Sequence, residues 1–287
     1  MDQLVCVSDF EVAAKKRLPK QTYDYYRSGA DDEISLKRNE AAFKRYLIRP
    51  RMLRNVSRRD LSVSVLGGRL RLAHPIGIAS TASQRLAHPD GEVAMARGAK
   101  ATQSLMMCST ISTTSLEDIA GAAPASPRWF QLYICKDRAF TESLVRRAEA
   151  AGYEALVVTV DTPVSGKRRN DMRNGFSLPP HLKVANFVTE KTTESETKQT
   201  NDAYDRMRST QSGSSGFAEF VDSLFHAGLT WADIGWLKSI THLPVLPKGI
   251  LTAEDALEAL KVGVDGIVVS NHGARQLDSC PSTVSLC

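Results

Sequence analysis

Short apolar runs recur along the chain, and each gives way to polar residues and then to a stretch with helical spacing. Residues 75–79, 104–109, 128–133, 155–160, 243–250 and 266–270 read as strands buried on both faces. The run Leu156-Val157-Val158-Thr159-Val160 is the clearest of them. Helical patterns fill the gaps at 91–101, before Gly152, at 231–240 behind a capping Thr230, and at 253–263. Strand and helix in alternation imply a parallel sheet or barrel. Six such strands can be counted, whereas a (β/α)8 barrel closes with eight.

The flanking text differs. Residues 8–29 read as helical, with Ser8 and Glu11 spaced as a capping box and Phe10, Ala13, Ala14 and Leu18 on one face; Pro19 starts a second element. Residues 41–66 read as extended pieces broken by Pro50, with strand alternation at 61–65, and are expected to lid one end of a barrel. From 189 to 216 there is no Ile, Leu, Val or Phe. Such a stretch buries too little apolar surface to offset its ordering entropy, so a flexible polar insertion is expected there.

Length and composition narrow the picture. A chain of 287 residues with 42% apolar content fits one large α/β domain. The net charge of +5 is modest and the charges are mixed, which favours a small anionic substrate over nucleic acid. Five scattered cysteines without CxxC spacing indicate neither zinc nor a disulfide framework, and so a reducing compartment. No secretory signal and no apolar run long enough to span a bilayer is present, so no membrane partner is expected.

Candidate chemistry concentrates near the end of the chain, where Gly266-Ile267-Val268-Val269 breaks into Ser270-Asn271-His272-Gly273-Ala274-Arg275-Gln276-Leu277-Asp278. A histidine exchanges a proton near neutral pH, and an arginine three residues on offers a fork of donors to a carboxylate. At the end of 155–160, Asp161 is placed to hold that imidazole.

The string SNHGARQLD resembles the signature of the FMN-dependent α-hydroxy-acid oxidases and dehydrogenases. The resemblance runs from about Val5 to about Val284. It implies a TIM (β/α)8 barrel, here incomplete with about six of eight β/α units, the C-terminal portion being absent. It also implies catalytic roles for His272, Asp161 and Tyr133, and substrate binding by Tyr25, Tyr133, Arg168 and Arg275. Tyr25 lies in a segment, YDYYRSGA, that is similar to the family's N-terminal pocket tyrosine segment, and Arg168 lies in a loop similar to the one that carries its mobile arginine. FMN would meet Thr81, Ala82, Ser109, Gln131, Thr159, Lys248 and Ser270. Many members carry tryptophan where this chain has Ile111, which suggests a different substrate preference.

The activity implied by the resemblance is oxidation of an (S)-2-hydroxy acid to a 2-oxo acid, with O2 or another acceptor, by a homo-oligomeric enzyme. A peroxisomal location is implied by the family, although the ending Ser285-Leu286-Cys287 is not an SKL-type address and leaves a cytoplasmic one open. The rival reading is a silent truncated isoform or paralogue, unable to hold FMN because the phosphate-gripping motifs of strands seven and eight are missing, and acting through full-length subunits. A nucleotide dehydrogenase would need a catalytic-cysteine loop, and a dinucleotide fold an early GxGxxG; neither is found.

Overall fold

The computed structural model describes residues 3–188 and 215–287. An antiparallel pair, β1 (Val63–Val65) and β2 (Leu70–Leu72), precedes a six-stranded parallel sheet in strict chain order. Its strands are β3 (Gly77–Ile78), β4 (Leu105–Ser109), β5 (Arg128–Leu132), β6 (Leu156–Thr159), β7 (Val245–Ile250) and β8 (Val268–Val269). These are six of the eight units of a TIM barrel, and the six strands expected from the apolar runs are the six observed. The outer two are shorter than the runs that announced them, because β3 and β8 each pair on one side only among the described residues.

Alternation along the strands sorts side chains between two cores. Met106, Cys108, Phe130, Leu132, Leu156, Val158 and Val245 point outward. They pack under α4 (Gly91–Thr102), α5 (Leu116–Ala122), α6 (Arg138–Ala150) and the helix Trp231–Ser239. Phe130 and Leu156 are fully buried, and each such side chain contributes about 1.5–3 kcal/mol. Leu105, Trp129, Val157 and Leu246 point inward, where the β1/β2 hairpin closes the N-terminal end through Val63, Val65, Leu70 and Leu72. Of residues 41–66, expected to lid one end, only Val63, Val65 and Leu66 take part; residues 46–61 are exposed and form no strand, and the closing pair extends to Leu72.

Before the sheet come α1 (Val7–Arg17), α2 (Lys20–Arg27) and α3 (Ile34–Ala42). The first is capped two residues earlier than its sequence suggested. Asp9, not Glu11, closes the capping box, accepting from the backbone N–H groups of Val5 and Cys6. Glu11 instead accepts from the Tyr23 hydroxyl, and Phe10 is exposed. After β6, residues 169–174, expected as loop, form the short helix α7 (Arg169–Asn174) with Arg168 at its N-cap. The expected polar insertion lies outside the described residues except for Ser215 and Gly216. Ser215 caps α8 (Gly216–Leu224), accepting from the Ala218 N–H. The remaining helices are α9 (Trp231–Ser239), whose Thr230 cap is reciprocated by Asp233, and α10 (Ala253–Val262).

The start of α3 is held from the far end of the chain. Asp278 accepts hydrogen bonds from the backbone N–H groups of Asp32, Ile34 and Ser35 at 3.1, 3.2 and 2.8 Å. Burial raises the pKa of this carboxyl, but those N–H groups together outweigh it and hold it down at about 2. The charged form is therefore the bound form. Its contribution is fully present above the ordinary value near 3.8 and is lost as pH falls through about 2. Asp278→Ala is expected to lower stability by about 1–2 kcal/mol at neutral pH. In urea titrations the difference between the two proteins should shrink below pH 4; a constant difference would show that the carboxylate is not the cap.

Candidate active site

The polar residues of the site follow from the same alternation that builds the barrel. On five successive strands the inward row is apolar at the closed end and polar at the carboxyl end. Leu105 and Met107 lead to Ser109, Trp129 to Gln131, Val157 to Thr159, Leu246 to Lys248, and Val268 to Ser270. Parallel register sets Ser109 beside Gln131 and Thr159 beside Lys248. Gln131 joins its neighbours: its Oε1 accepts from Ser109 Oγ at 3.3 Å and from the Thr110 N–H at 3.2 Å, and its Nε2 donates to Thr159 Oγ1 at 2.9 Å. An amide inside a barrel needs partners at both ends, and here it has them.

Beyond Lys248 the strand passes very close to Asp161. Gly249 has φ +120°, and a Cβ there would lie 2.6 Å from the Asp161 Cβ, so only glycine fits. Asp161 accepts from His272 Nδ1 at 2.7 Å, and its second oxygen is buried without a partner among the described residues. The loop that presents His272 holds three successive left-handed residues, His272, Gly273 and Ala274. Two contacts fix its shape: the His272 N–H donates to Ser270 Oγ at 3.0 Å, and Asn271 Oδ1 accepts from the Ala274 N–H at 3.2 Å. Burial lowers the His272 pKa below its ordinary 6.5, with Lys248 and Arg168 adding to the effect and Asp161 opposing it. Burial raises that of Asp161, but the His272 bond and the charges of His272 and Lys248 outweigh it and keep the group ionised. At neutral pH the imidazole therefore donates its Nδ1 proton to Asp161 and leaves Nε2 as a base.

Two guanidinium groups form the other end. Arg275 Nη1 donates to the Ser28 carbonyl at 2.7 Å, and the group sits 5.2 Å from the centre of the Tyr25 ring. Burial, and then repulsion from Arg168, push the Arg275 pKa down to about 10, which leaves it charged. Arg168 donates from Nε to the Arg275 carbonyl at 3.4 Å and lies 3.8 Å from Asp171. The two arginine loops are packed backbone to backbone, since a Cβ at Gly166 would lie 2.1 Å from the Arg275 carbonyl oxygen. Gln276 ties the same loops together. Its Nε2 donates to the carbonyls of Asp161 and Val164, and its Oε1 accepts from the Gly166 N–H.

These groups surround one cavity of about 300 Å³. Of the thirteen residues singled out in the sequence, twelve line it: Tyr25, Thr81, Ala82, Ser109, Gln131, Tyr133, Thr159, Arg168, Lys248, Ser270, His272 and Arg275. Asp161 is the thirteenth and stands behind His272. Tyr133, stacked on Phe225 at 4.2 Å, is held protonated by burial and by the Asp161 charge. Thr81 lines the cavity from an exposed position. The small residues Ala79, Ser80, Thr81 and Ala82 leave one side open to a flat ring. Lys248, which lines the same cavity, is 7% exposed. Burial lowers its pKa, against the pull of Asp161. A buried cation in a cavity also lined by small residues suits an electron-rich ring such as a reduced flavin.

The sequence reading gave no role to Gln276, Tyr26, Phe217 or Val221, which also line the cavity. Gln276 stood inside the quoted string. The other signal was Ser215 followed by Phe217, Phe220, Val221 and Leu224, an N-cap ahead of apolar residues at helical spacing. Ile111 is buried against the same cluster as Tyr25 and Phe217.

Known proteins are similar to this chain in sequence and in fold. The chain is 48% identical to 2-hydroxyacid oxidase 1 of Homo sapiens, with 100% of this chain and 74% of the relative aligned. It is 47% identical to glycolate oxidase 3 of Oryza sativa subsp. indica, over 99% of this chain and 73% of the relative. Among solved structures, mandelate oxidase with (S)-4-hydroxymandelic acid superposes with a TM-score of 0.89 at 39% identity, covering 99% of this chain and 74% of the other. The chain thus spans about three quarters of the length of the relatives it matches. Residues 14–287 match the model of the FMN-dependent dehydrogenases, and the chain belongs to that family.

Proposed function

We propose that the protein oxidises an (S)-2-hydroxy acid to the 2-oxo acid, with FMN as cofactor and O2 as acceptor. The observation that carries the reading is a part-buried His272–Asp161 pair, 2.7 Å apart, opening onto the cavity that also holds Arg168 and Arg275. FMN, when bound, supplies a two-electron acceptor that O2 reoxidises to give hydrogen peroxide. Thr81, Ala82, Ser109, Gln131, Thr159, Lys248 and Ser270 would hold its ring.

The chain's own groups divide the remaining work. Arg275 and Arg168, with Tyr25, bind the substrate carboxylate, as paired guanidinium forks suit. Tyr133 remains protonated and donates to the substrate oxygen. His272 Nε2 takes a proton from the substrate, and Asp161 stabilises the imidazolium that results. Lys248 would offset negative charge on a bound flavin.

The assembled site favours this reading over a silent isoform. A homo-oligomer and a peroxisomal location accompany it as family expectations. Among the described residues no helix is long and apolar enough to cross a membrane. The first test is the visible spectrum of the purified chain after incubation with FMN and removal of free dye. A retained flavin spectrum that bleaches under nitrogen with a 2-hydroxy acid, and returns in air with peroxide formation, is expected. A colourless protein would refute the proposal.

A further inference from the structure

Glu92 is the second residue of α4 and is 1% exposed, yet no lysine, arginine or histidine pairs with it among the described residues. A buried carboxylate without a counter-charge is costly unless donors surround it. Here they do. Oε1 accepts from the Gln84 N–H at 3.0 Å and the Thr113 N–H at 2.7 Å. The hydroxyl of Thr113 lies 2.9 Å from both oxygens, and that of Thr114 donates to Oε2 at 2.9 Å. Thr113 Oγ1 also accepts from the Arg85 N–H at 3.0 Å.

The donors come from two different loops, one after β3 and one after β4. Gln84 lies three residues beyond Thr81, and Thr113 two beyond Ile111, so both loops run directly into the cavity wall. Two further bonds join the same two loops to each other and to α2. The Ser83 N–H donates to the Ile111 carbonyl at 3.0 Å, and the Tyr26 hydroxyl donates to the Ser83 carbonyl at 2.8 Å. Gly91 brings the first loop against the helix start, because a Cβ there would lie 2.8 Å from the Arg85 nitrogen. The positive end of the helix macrodipole favours a charged group at this position.

We infer that Glu92 is a positioning residue for the active site: its carboxylate locks the loop carrying Thr81 and Ala82 to the loop carrying Ile111 and thereby sets the shape of the cofactor side of the cavity. The inference rests on the flavoprotein reading for its consequence, though not for the lock itself.

Two measurements test it on the full chain. In Glu92→Gln an amide N–H2 faces donors, and the amides of Gln84, Arg85 and Thr113 should exchange with solvent together and about tenfold faster or more. The Kd for FMN, read from flavin fluorescence, should rise about tenfold in the same folded protein. Thr113→Val, which removes hydroxyl bonds from both partners of the lock and leaves the carboxylate, should show the same pattern more weakly and serves if the first variant does not fold. A purely structural role would speed exchange throughout the protein and leave the Kd of the folded fraction unchanged; that result, or parental exchange in both loops, overturns the inference. A parent chain that binds no FMN would sink the flavoprotein reading, while the exchange measurement still decides the lock.

Discussion

His272→Asn lowers the rate of flavin reduction by a 2-hydroxy acid by about 10²–10⁴-fold, the usual contribution of a positioned general base, and leaves FMN binding as in the parent. Asparagine is the substitution of choice because His272 has φ +57°, and asparagine tolerates the left-handed backbone better than most residues. Anaerobic stopped-flow reduction measures the loss directly; a rate near that of the parent would remove His272 from the base role. The pH profile carries a second signature. The imidazole works only when neutral, so kcat/KM should fall on the acid side, with a midpoint below 6.5 because burial disfavours the charged ring. Asp161→Asn takes away a group that raises this pKa, so the acid limb should move to still lower pH while the maximum rate drops.

Arg275→Lys raises the KM for the hydroxy acid by about 30-fold to 1,000-fold, corresponding to roughly 2–4 kcal/mol for a buried charge-assisted pair. Lysine keeps the charge and loses the planar fork, and it cannot reproduce both the contact over Tyr25 and the bond to the Ser28 carbonyl. Steady-state kinetics with a short and a longer 2-hydroxy acid measure the change. An unaltered KM would mean that the substrate carboxylate is held elsewhere, Arg168 being the first alternative.

The barrel was legible because its strands are continuous apolar runs and its helices have caps. Where reading failed, the cause was local competition or distance. Cys6 and Asp9 displaced Ser8 and Glu11 as the cap of α1 because Asp9 reaches two free backbone N–H groups at once. Helix α7 was hidden in a basic triplet, and α8 followed directly on a polar stretch that drew the eye away from its apolar spacing. The site residues were found by resemblance and by their places at strand ends, and the cavity gathers them. Gln276 escaped because its partners lie 110 to 115 residues away, and Glu92 because its donors sit in two loops on either side of it, 8 to 22 residues off, at positions that a lone Glu does not announce.

Residues 28–39 meet the loop that carries His272. Asn39 bonds to Asn271, the Ala30 N–H to the Ala274 carbonyl, and Arg275 and Asp278 to residues 28–35. Sequence separations of 232 to 247 residues place these among the most non-local contacts in the molecule. Contacts of this kind form slowly, since a long loop must close before any of them is gained. On a ribosome α2 and α3 emerge long before the His272 loop and must wait for it before they can make these contacts. The candidate site is therefore completed late in folding, and a nascent chain lacks it until the His272 loop has met residues 28–39.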